Sequence, residues 1–236
     1  MKKFELTSEY FNNAFGVKLF RIRALVEFGD VKAGDLGGYI EKEDNLDHDG
    51  TAWVSGNARV SGNAKVFGNA RVSGNARVSG DAWVSGNAKV YGNAWVSGNA
   101  KVYGNAWVSG DAWVYGTAWV YGDAWVSGNA KVSGDAQVYG DALVYGKAKV
   151  SGDAWVSGNA RVSGDADYAT VKGFGRFNRS TTFFRCKDGK ICVVCGCFFG
   201  DLEDFRAIVK RTHGDGKLAK EYFAIADLME MHFEKK

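Results

Sequence analysis

The chain of 236 residues contains no proline, and its net charge is only +3. The lack of proline excludes collagen and argues against proline-rich disorder, although glycine, at 32 residues, is abundant. No apolar run approaches the ~18 residues of a membrane span, and the N-terminus has no apolar leader segment. We therefore expect a cytoplasmic protein that binds neither membranes nor nucleic-acid polymers.

A six-residue repeat explains most of the glycine. Valine occurs at every sixth position from Val54 to Val162, 19 times without a slip, with alanine two positions before it and glycine two positions after it. Residues two apart on a strand face the same way, so alanine and valine are expected to point inward. The Gly-Asn or Gly-Asp pair is expected to form a corner, because both residue types tolerate the left-handed backbone region. Three units complete a coil, and the array predicts about six coils.

The unit Val-Ser-Gly-Asn-Ala resembles the hexapeptide repeat of the bacterial transferase superfamily. This resemblance implies a left-handed parallel β-helix that usually assembles as a homotrimer. The flanks resemble uncharacterised hexapeptide-repeat proteins of bacteria and their phages, which are often labelled transferases. The shared segments are Gly34-Asp35-Leu36-Gly37-Gly38, Gly196-Cys197-Phe198, Thr212-His213-Gly214-Asp215 and Glu221-Tyr222.

We predict a mainly β protein, with a left-handed parallel β-helix, an N-terminal β cap and a small C-terminal α+β domain. Both ends need caps because a solenoid end exposes unpaired strand edges. The expected boundaries are 1–50 for the cap, 51–169 for the β-helix and 170–236 for a C-terminal ββαα domain.

The flanks carry local signals of their own. His48 stands where one more unit would place valine. A hairpin is expected across Asp188-Gly189, followed by a helix that Asp201 caps and that ends near His213. A second helix is expected around Tyr222.

All eight tryptophans occupy the outward position just before a repeat valine. Positions 18 residues apart form three ladders along the solenoid, which contain both aromatic and basic side chains and allow stacking between neighbouring coils. We expect the most aromatic face to be a subunit interface of a homo-oligomer. The predicted interface residues are Trp83, Trp119, Trp155, Tyr103, Tyr121 and Tyr139. The alternative is a platform that binds sugars or nucleobases.

Enzymes of the hexapeptide-repeat superfamily set two precedents. Its acyltransferases generally use a base histidine, often on a loop extruded from a coil, and its carbonic anhydrases bind zinc through three histidines. Residues 52–166 contain no histidine and no inserted loop, and His48, His213 and His232 are far apart in sequence. We therefore expect a solenoid without catalytic chemistry, and no catalytic residue, metal or cofactor is predicted. The alternative is a catalytic site in the caps or between subunits.

Positive charge concentrates at the C-terminal end, since the net charge is −3 for residues 1–50, +2 for 51–169 and +4 for 170–236. There, arginine, hydroxyl and histidine side chains fall in turns and at helix ends, where they suit phosphate or carboxylate recognition. The alternative is that each is a solvated or capping residue. The predicted ligand-binding residues are Arg176, Arg179, Thr181, Cys197, Thr212, His213 and Tyr222.

The four cysteines lie within twelve residues, at Cys186, Cys192, Cys195 and Cys197. We expect reduced cysteines in the core or in turns. The alternatives are a zinc knuckle, from the pattern Cys-x-x-Cys-Gly, and a catalytic thiol. Zinc is disfavoured because Cys192 and Cys195 would point to opposite faces of a strand.

The leading functional hypothesis is a non-catalytic oligomeric binding protein, which presents basic C-terminal sites to an anionic, nucleotide-like small molecule. The phage resemblance implies one role to test, the sequestration of an immune signalling nucleotide in the cytoplasm of a bacterium or host cell. One alternative is an acyl-CoA-dependent or other group transferase. A second alternative is a purely structural scaffold.

Overall fold

A computed structural model describes residues 1–234 as a parallel β-solenoid of about seven turns, with an antiparallel sheet and two helices at its C-terminal end. This confirms the predicted mainly β fold class. No helix among these residues is long and apolar enough to cross a membrane.

Three strands precede the repeats. Strands β1 (Phe4–Asn12) and β2 (Lys18–Ala24) form an antiparallel hairpin, and β3 (Leu36–Ile40) pairs antiparallel with β2. A 3₁₀ turn follows at Glu43–Asn45.

Nineteen two-residue strands follow, and each ends on a repeat valine. They are β4 (Trp53–Val54), β5 (Arg59–Val60), β6 (Lys65–Val66), β7 (Arg71–Val72), β8 (Arg77–Val78), β9 (Trp83–Val84), β10 (Lys89–Val90), β11 (Trp95–Val96), β12 (Lys101–Val102), β13 (Trp107–Val108), β14 (Trp113–Val114), β15 (Trp119–Val120), β16 (Trp125–Val126), β17 (Lys131–Val132), β18 (Gln137–Val138), β19 (Leu143–Val144), β20 (Lys149–Val150), β21 (Trp155–Val156) and β22 (Arg161–Val162).

The repeat strands form three parallel sheets, each taking every third strand. The first face runs from β4 to β22, the second from β5 to β20 and the third from β6 to β21. Partners lie one coil apart in strict register, as in the pairing of Val90 with Val108. Every repeat alanine and valine is fully buried, which confirms that the two residues point inward.

On two of its three faces, the solenoid has one more strand position than the valines predict. Strand β3 pairs in parallel with β5, so Ile40 stacks on Val60, and Leu46 forms a parallel bridge with Val66. The interpretation of His48 as the residue at the first valine position was therefore wrong. Leu46 takes this core position because the first coil is two residues longer than the others, while His48 stacks on the ring of Phe4 at a centroid distance of 4.4 Å.

A four-stranded antiparallel meander closes the other end. Its strands are β23 (Tyr168–Phe174), β24 (Arg179–Arg185), β25 (Ile191–Cys195) and β26 (Phe198–Asp201). Helices α1 (Leu202–His213) and α2 (Lys217–Phe233) cover its outer face.

Successive side chains of the meander point to opposite faces of the sheet, so the sheet packs on the solenoid core with one face and on the helices with the other. On β24, Phe184 packs into the solenoid core and Phe183 into the helical core. The predicted helix ends are also confirmed, because Asp201 accepts a hydrogen bond from the Asp204 amide at 2.9 Å and Gly214 terminates α1 with a φ of 59°.

Each end of the solenoid replaces the hydrogen bonds of a missing coil. Within the stack, the Trp53 amide donates to the Ala70 carbonyl, but the Ala52 carbonyl has no earlier coil below it. The ammonium group of the buried Lys3 donates to Ala52 O at 3.0 Å. A cation thus satisfies a buried acceptor that would otherwise be unpaired.

At the C-terminal end the unpaired groups are amides, and the protein supplies acceptors. The Lys149 amide donates to Asp165 Oδ1 at 2.9 Å, and the Trp155 amide donates to Thr182 Oγ1 at 3.0 Å. The caps therefore match the hydrogen-bonding polarity of each edge.

The corner glycines set how closely the coils stack. Gly98 has a φ of 67°, and a Cβ added there would lie 2.9 Å from the carbonyl oxygen of Gly116 in the next coil. The corner asparagines do not share the left-handed conformation, since Asn178 is the only non-glycine residue in the described chain with a positive φ. Glycine is thus needed both for its backbone conformation and for its lack of a side chain.

Two alanine substitutions separate these requirements. Gly152 has a φ of 65° but no atom within 4 Å of an added Cβ, because no coil follows it. We expect Gly152→Ala to lower the free energy of unfolding by about 1 to 2 kcal/mol, the cost of a left-handed conformation, and Gly98→Ala to lower it further. Urea denaturation measures both, and equal losses would contradict close backbone stacking at the corners.

The Lys3 cap predicts a pH dependence. Burial lowers the pKa of Lys3 from its ordinary value of 10.5 to about 8. Between pH 8 and pH 10.5, Lys3 is protonated in the unfolded chain and largely deprotonated in the folded chain. The unfolded chain then binds more protons, so Lys3 makes the free energy of unfolding rise with pH in this range. We expect urea denaturation to show this rise in the wild type and in Lys2→Met, but not in Lys3→Met. The same pH profile in Lys3→Met would refute the assignment.

Candidate functional site

The meander brings the predicted C-terminal residues to one end of the sheet. In an antiparallel meander, alternate turns lie at the same end, so the β23–β24 and β25–β26 connections are neighbours. Helix α1 starts at the opposite end, after β26, and runs back, so that His213 at its last turn approaches both connections.

These elements enclose a cavity of about 290 Å³, which we name the C-terminal cavity. Six of the seven predicted ligand-binding residues line it, namely Arg176, Arg179, Cys197, Thr212, His213 and Tyr222. The seventh, Thr181, does not line the cavity. It is buried, and its Oγ1 lies 3.2 Å from the Sγ of Cys195, which does line the cavity. The structure therefore brings the predicted residues together, while their role in binding stays a prediction.

Two arginines frame the mouth of the cavity. The guanidinium carbons of Arg176 and Arg179 lie 5.4 Å and 4.8 Å from the ring centre of Phe177, within cation–π distance. No aspartate or glutamate is among the residues that line the cavity. The mouth is therefore a positively charged site with fork-shaped donors.

Tyr222 forms the floor. Burial, reinforced by the nearby Cys195 thiol, raises the pKa of Tyr222 to about 12, so its hydroxyl is a neutral hydrogen-bonding group at neutral pH. A Cβ on Gly175 would meet the Tyr222 hydroxyl, so glycine is required where the β23–β24 connection crosses the ring. The Tyr222 ring also stacks near His213, with centroids 5.9 Å apart.

Sequence reasoning missed the apolar half of the cavity. The missed lining residues are Phe177, Cys195, Phe198, Phe205, Ile208 and Val209. Phe205, Ile208 and Val209 lie at helical spacing, which indicates a core face and gives no sign that this face also borders a cavity. Phe177 stands between the two arginines in the sequence, and that signal could have identified it.

The cysteine prediction was wrong in part. Cys186 and Cys192 form a disulfide, with Cα atoms 6.0 Å apart, whereas Cys195 and Cys197 are free thiols. Phe184 lies opposite Cys192 in the confirmed hairpin, so Cys186, two residues along, is on the same face and within reach.

The zinc alternative has no geometric support among residues 1–234, where no three His, Cys, Asp or Glu side chains are grouped to hold a metal ion. Cys192 packs into the solenoid core, and Cys195 borders the helical core on the other face of the sheet.

The aromatic ladders form as predicted, but on the third face the faces of the tyrosine rings are already in contact with one another. On the third face, Tyr121 stacks on Tyr103 and on Tyr139 at centroid distances of 4.9 and 5.0 Å, and such stacked rings offer edges rather than faces to a ligand. Trp155 lies at the junction with the meander, where β21 packs on β24. The predicted interface on this face stays a prediction.

A larger recess of about 720 Å³ lies beside the 3₁₀ turn, between Asp44 and Trp83. Three carboxylates line it, from Glu43, Asp44 and Asp47, together with a single lysine, Lys65. This charge balance does not suit an anion, so the C-terminal cavity is the better candidate for the predicted ligand.

Comparison with known proteins supports the repeat architecture. A family model described as YdcK Beta solenoid repeat matches residues 64–80, 70–86, 100–116 and 136–152. All four segments lie in the solenoid and none includes the C-terminal cavity. A search of the curated proteins finds no match.

The cysteine environments predict an order of reactivity. Cys197 is exposed, Cys195 is half-buried against Thr181, and the other two are joined. We expect iodoacetamide to modify Cys197 first and Cys195 more slowly, since access limits thiol reactivity. Cys186 and Cys192 should react only after reduction. Peptide mass spectrometry measures the order, and labelling of Cys192 without reductant would contradict the disulfide.

Proposed function

We propose that the protein is an oligomeric binding protein that holds a small, anionic, nucleotide-like molecule in the C-terminal cavity without transforming it. One observation carries this proposal. Two arginines meet at the mouth of a cavity whose walls are aromatic and aliphatic and whose lining contains no carboxylate.

The mouth suits the anionic group of the ligand. Arg176 and Arg179 flank Phe177, and cation–π contact limits the freedom of both guanidinium groups before a ligand arrives. Thr212 and His213 add donors at the end of α1. This set can surround a phosphate or carboxylate with charge-assisted hydrogen bonds.

The interior suits a planar ring. Phe205, Ile208 and Val209 offer an apolar wall, and the Tyr222 hydroxyl offers one polar contact at the floor. A volume of about 290 Å³ is at the lower limit for small-molecule sites. One nucleoside monophosphate is thus the expected size of ligand, and a signalling nucleotide with two nucleoside units would need a neighbouring chain to cover its second half.

Sequestration of an immune signalling nucleotide by a phage protein is one biological form of this proposal. It requires tight binding without turnover, and the arginine, threonine and histidine donors of the cavity support the binding part of this role. Self-association through the third face, as a trimer, would present one cavity per subunit.

A group transferase of the hexapeptide-repeat superfamily is the second candidate. His213 and Cys195 border the same cavity, so a base and a thiol are at hand. An acyl-CoA assay distinguishes the candidates, because release of free coenzyme A would favour transfer over binding. A purely structural scaffold, the third candidate, would bind none of these compounds.

We expect calorimetric titration with adenosine and guanosine monophosphates to show binding that Arg179→Gln weakens by about tenfold or more, the effect of losing a charge-assisted hydrogen bond. Arg211→Gln is the matched control, because Arg211 is an exposed arginine of α1 outside the cavity lining. Native mass spectrometry of the purified protein reports subunit number and any retained ligand.

Two results would overturn the proposal. One is the absence of binding by nucleotides, inorganic phosphate and coenzyme A alike. The other is an equal loss of affinity in Arg179→Gln and Arg211→Gln, which would indicate general charge attraction rather than a defined site.

A further inference from the structure

A second basic cavity lies at the opposite end of the solenoid. The tip of the β1–β2 hairpin, at residues 13–16, overhangs the second face and encloses about 220 Å³. The floor of this cavity carries Arg59, Arg77 and Trp95, on three successive strands of that face. Phe15, at the hairpin tip, is 88% exposed.

The two arginines form an uncompensated pair. Arg59 and Arg77 are direct partners on neighbouring parallel strands, where like charges destabilise a sheet. Each is held by an aromatic ring, with Phe11 4.5 Å from the Arg59 guanidinium carbon and Trp95 5.8 Å from that of Arg77. No aspartate or glutamate lines the cavity.

Other arginines of this end of the protein, unlike Arg59 and Arg77, are each paired with a carboxylate. Arg71 occupies the same outward position on the first face, and it pairs with Asp30. In the hairpin itself, Arg21 pairs with Glu9 and Arg23 pairs with Glu5. The nearest hairpin carboxylates are therefore engaged with other partners, and the pair on the second face retains its charge.

A hydroxyl completes the donor set. Ser79 Oγ accepts a hydrogen bond from Trp95 Nε1 at 3.3 Å, which leaves the hydroxyl hydrogen free to donate into the same cavity. Two guanidinium groups and one hydroxyl match the several acceptor oxygens of a tetrahedral dianion better than the two oxygens of a carboxylate.

We propose that this cavity is a second anion site, which binds a phosphate monoester with its phosphoryl group between Arg59 and Arg77. The exposed ring of Phe15 and the ring of Trp95 contact the organic part of the ligand. This inference is independent of the proposed function of the C-terminal cavity, since the two sites share no residue.

The test uses the full chain with Arg176→Gln and Arg179→Gln, so that the C-terminal cavity does not contribute. We expect calorimetry at physiological salt to show one site per chain for phenyl phosphate. Adding Arg77→Gln should weaken this binding by about tenfold or more. Adding Arg71→Gln, at the matched position on the first face, should leave it unchanged.

Thermal unfolding gives a second readout that does not depend on calorimetric heats. Phenyl phosphate should raise the unfolding temperature of the protein with Arg77 and not that of Arg77→Gln.

The proposal is overturned if phenyl phosphate does not bind the protein that lacks the two C-terminal arginines, or if Arg71→Gln and Arg77→Gln weaken binding equally. Equal affinity for benzoate would refute the assignment to phosphate. If the wild type binds no nucleotide while phenyl phosphate still binds under the hairpin, the result would contradict the proposed function of the C-terminal cavity and leave this second proposal standing.

Discussion

The close stacking of equivalent backbone positions 18 residues apart is the constraint on which the rest of this structure depends. From Gly56 to Gly140, each corner glycine lies against the glycine of the next coil, which leaves too little room for a side chain without a shift of the backbone. Because the register never slips within the repeats, every outward position also becomes a ladder. Asn87 Nδ2 donates to Asn105 Oδ1 at 2.9 Å along one corner, and Lys101 lies over the rings of both Trp83 and Trp119 on the third face. The same spacing thus fixes the core and the surface.

Regular stacking pairs the backbone polar groups within the solenoid, so unpaired groups and varied side chains occur mainly at its two ends. Inside the array, each strand amide and carbonyl finds its partner one coil away, and Lys89, Lys101 and Lys131 lie against tryptophan rings. Where the register stops, unpaired edges must be covered, and the covering segments bring side chains of other kinds. Lys3 does so at one end, and Thr182 does so at the other. The two basic cavities also arise there, one under the β1–β2 hairpin and one beside the turns of the meander.

The sequence predicts the regular array of coils better than it predicts the two ends. Periodicity identifies every buried alanine and valine of the repeats, because each unit forms the same strand and corner. It fails at Leu46, since two extra residues in the first coil shift the register in a way that the count of six cannot detect. At the C-terminal end, residue type and position in turns or at helix ends identified six of the twelve residues that line the cavity. Thr181 shares the helix-facing side of β24 with Phe183, but it is buried with its hydroxyl against Cys195 and does not line the cavity. Cys195 was missed because the cysteines were expected in the core or in turns, and no sequence signal placed one of them at a cavity.

The positions of the two cavities show whether binding and scaffolding exclude each other as roles of this protein. The cavity under the hairpin covers β5, β8 and β11, and three further strands of the second face, β14, β17 and β20, lie between it and the meander. The two cavities share no residue, so under the two proposals each arginine pair binds its own anion. A rigid solenoid between them keeps this separation constant, since bending it would open backbone contacts at the corners. The spacer role and the binding role are therefore compatible in one chain, and loss of one arginine pair should leave the other site intact.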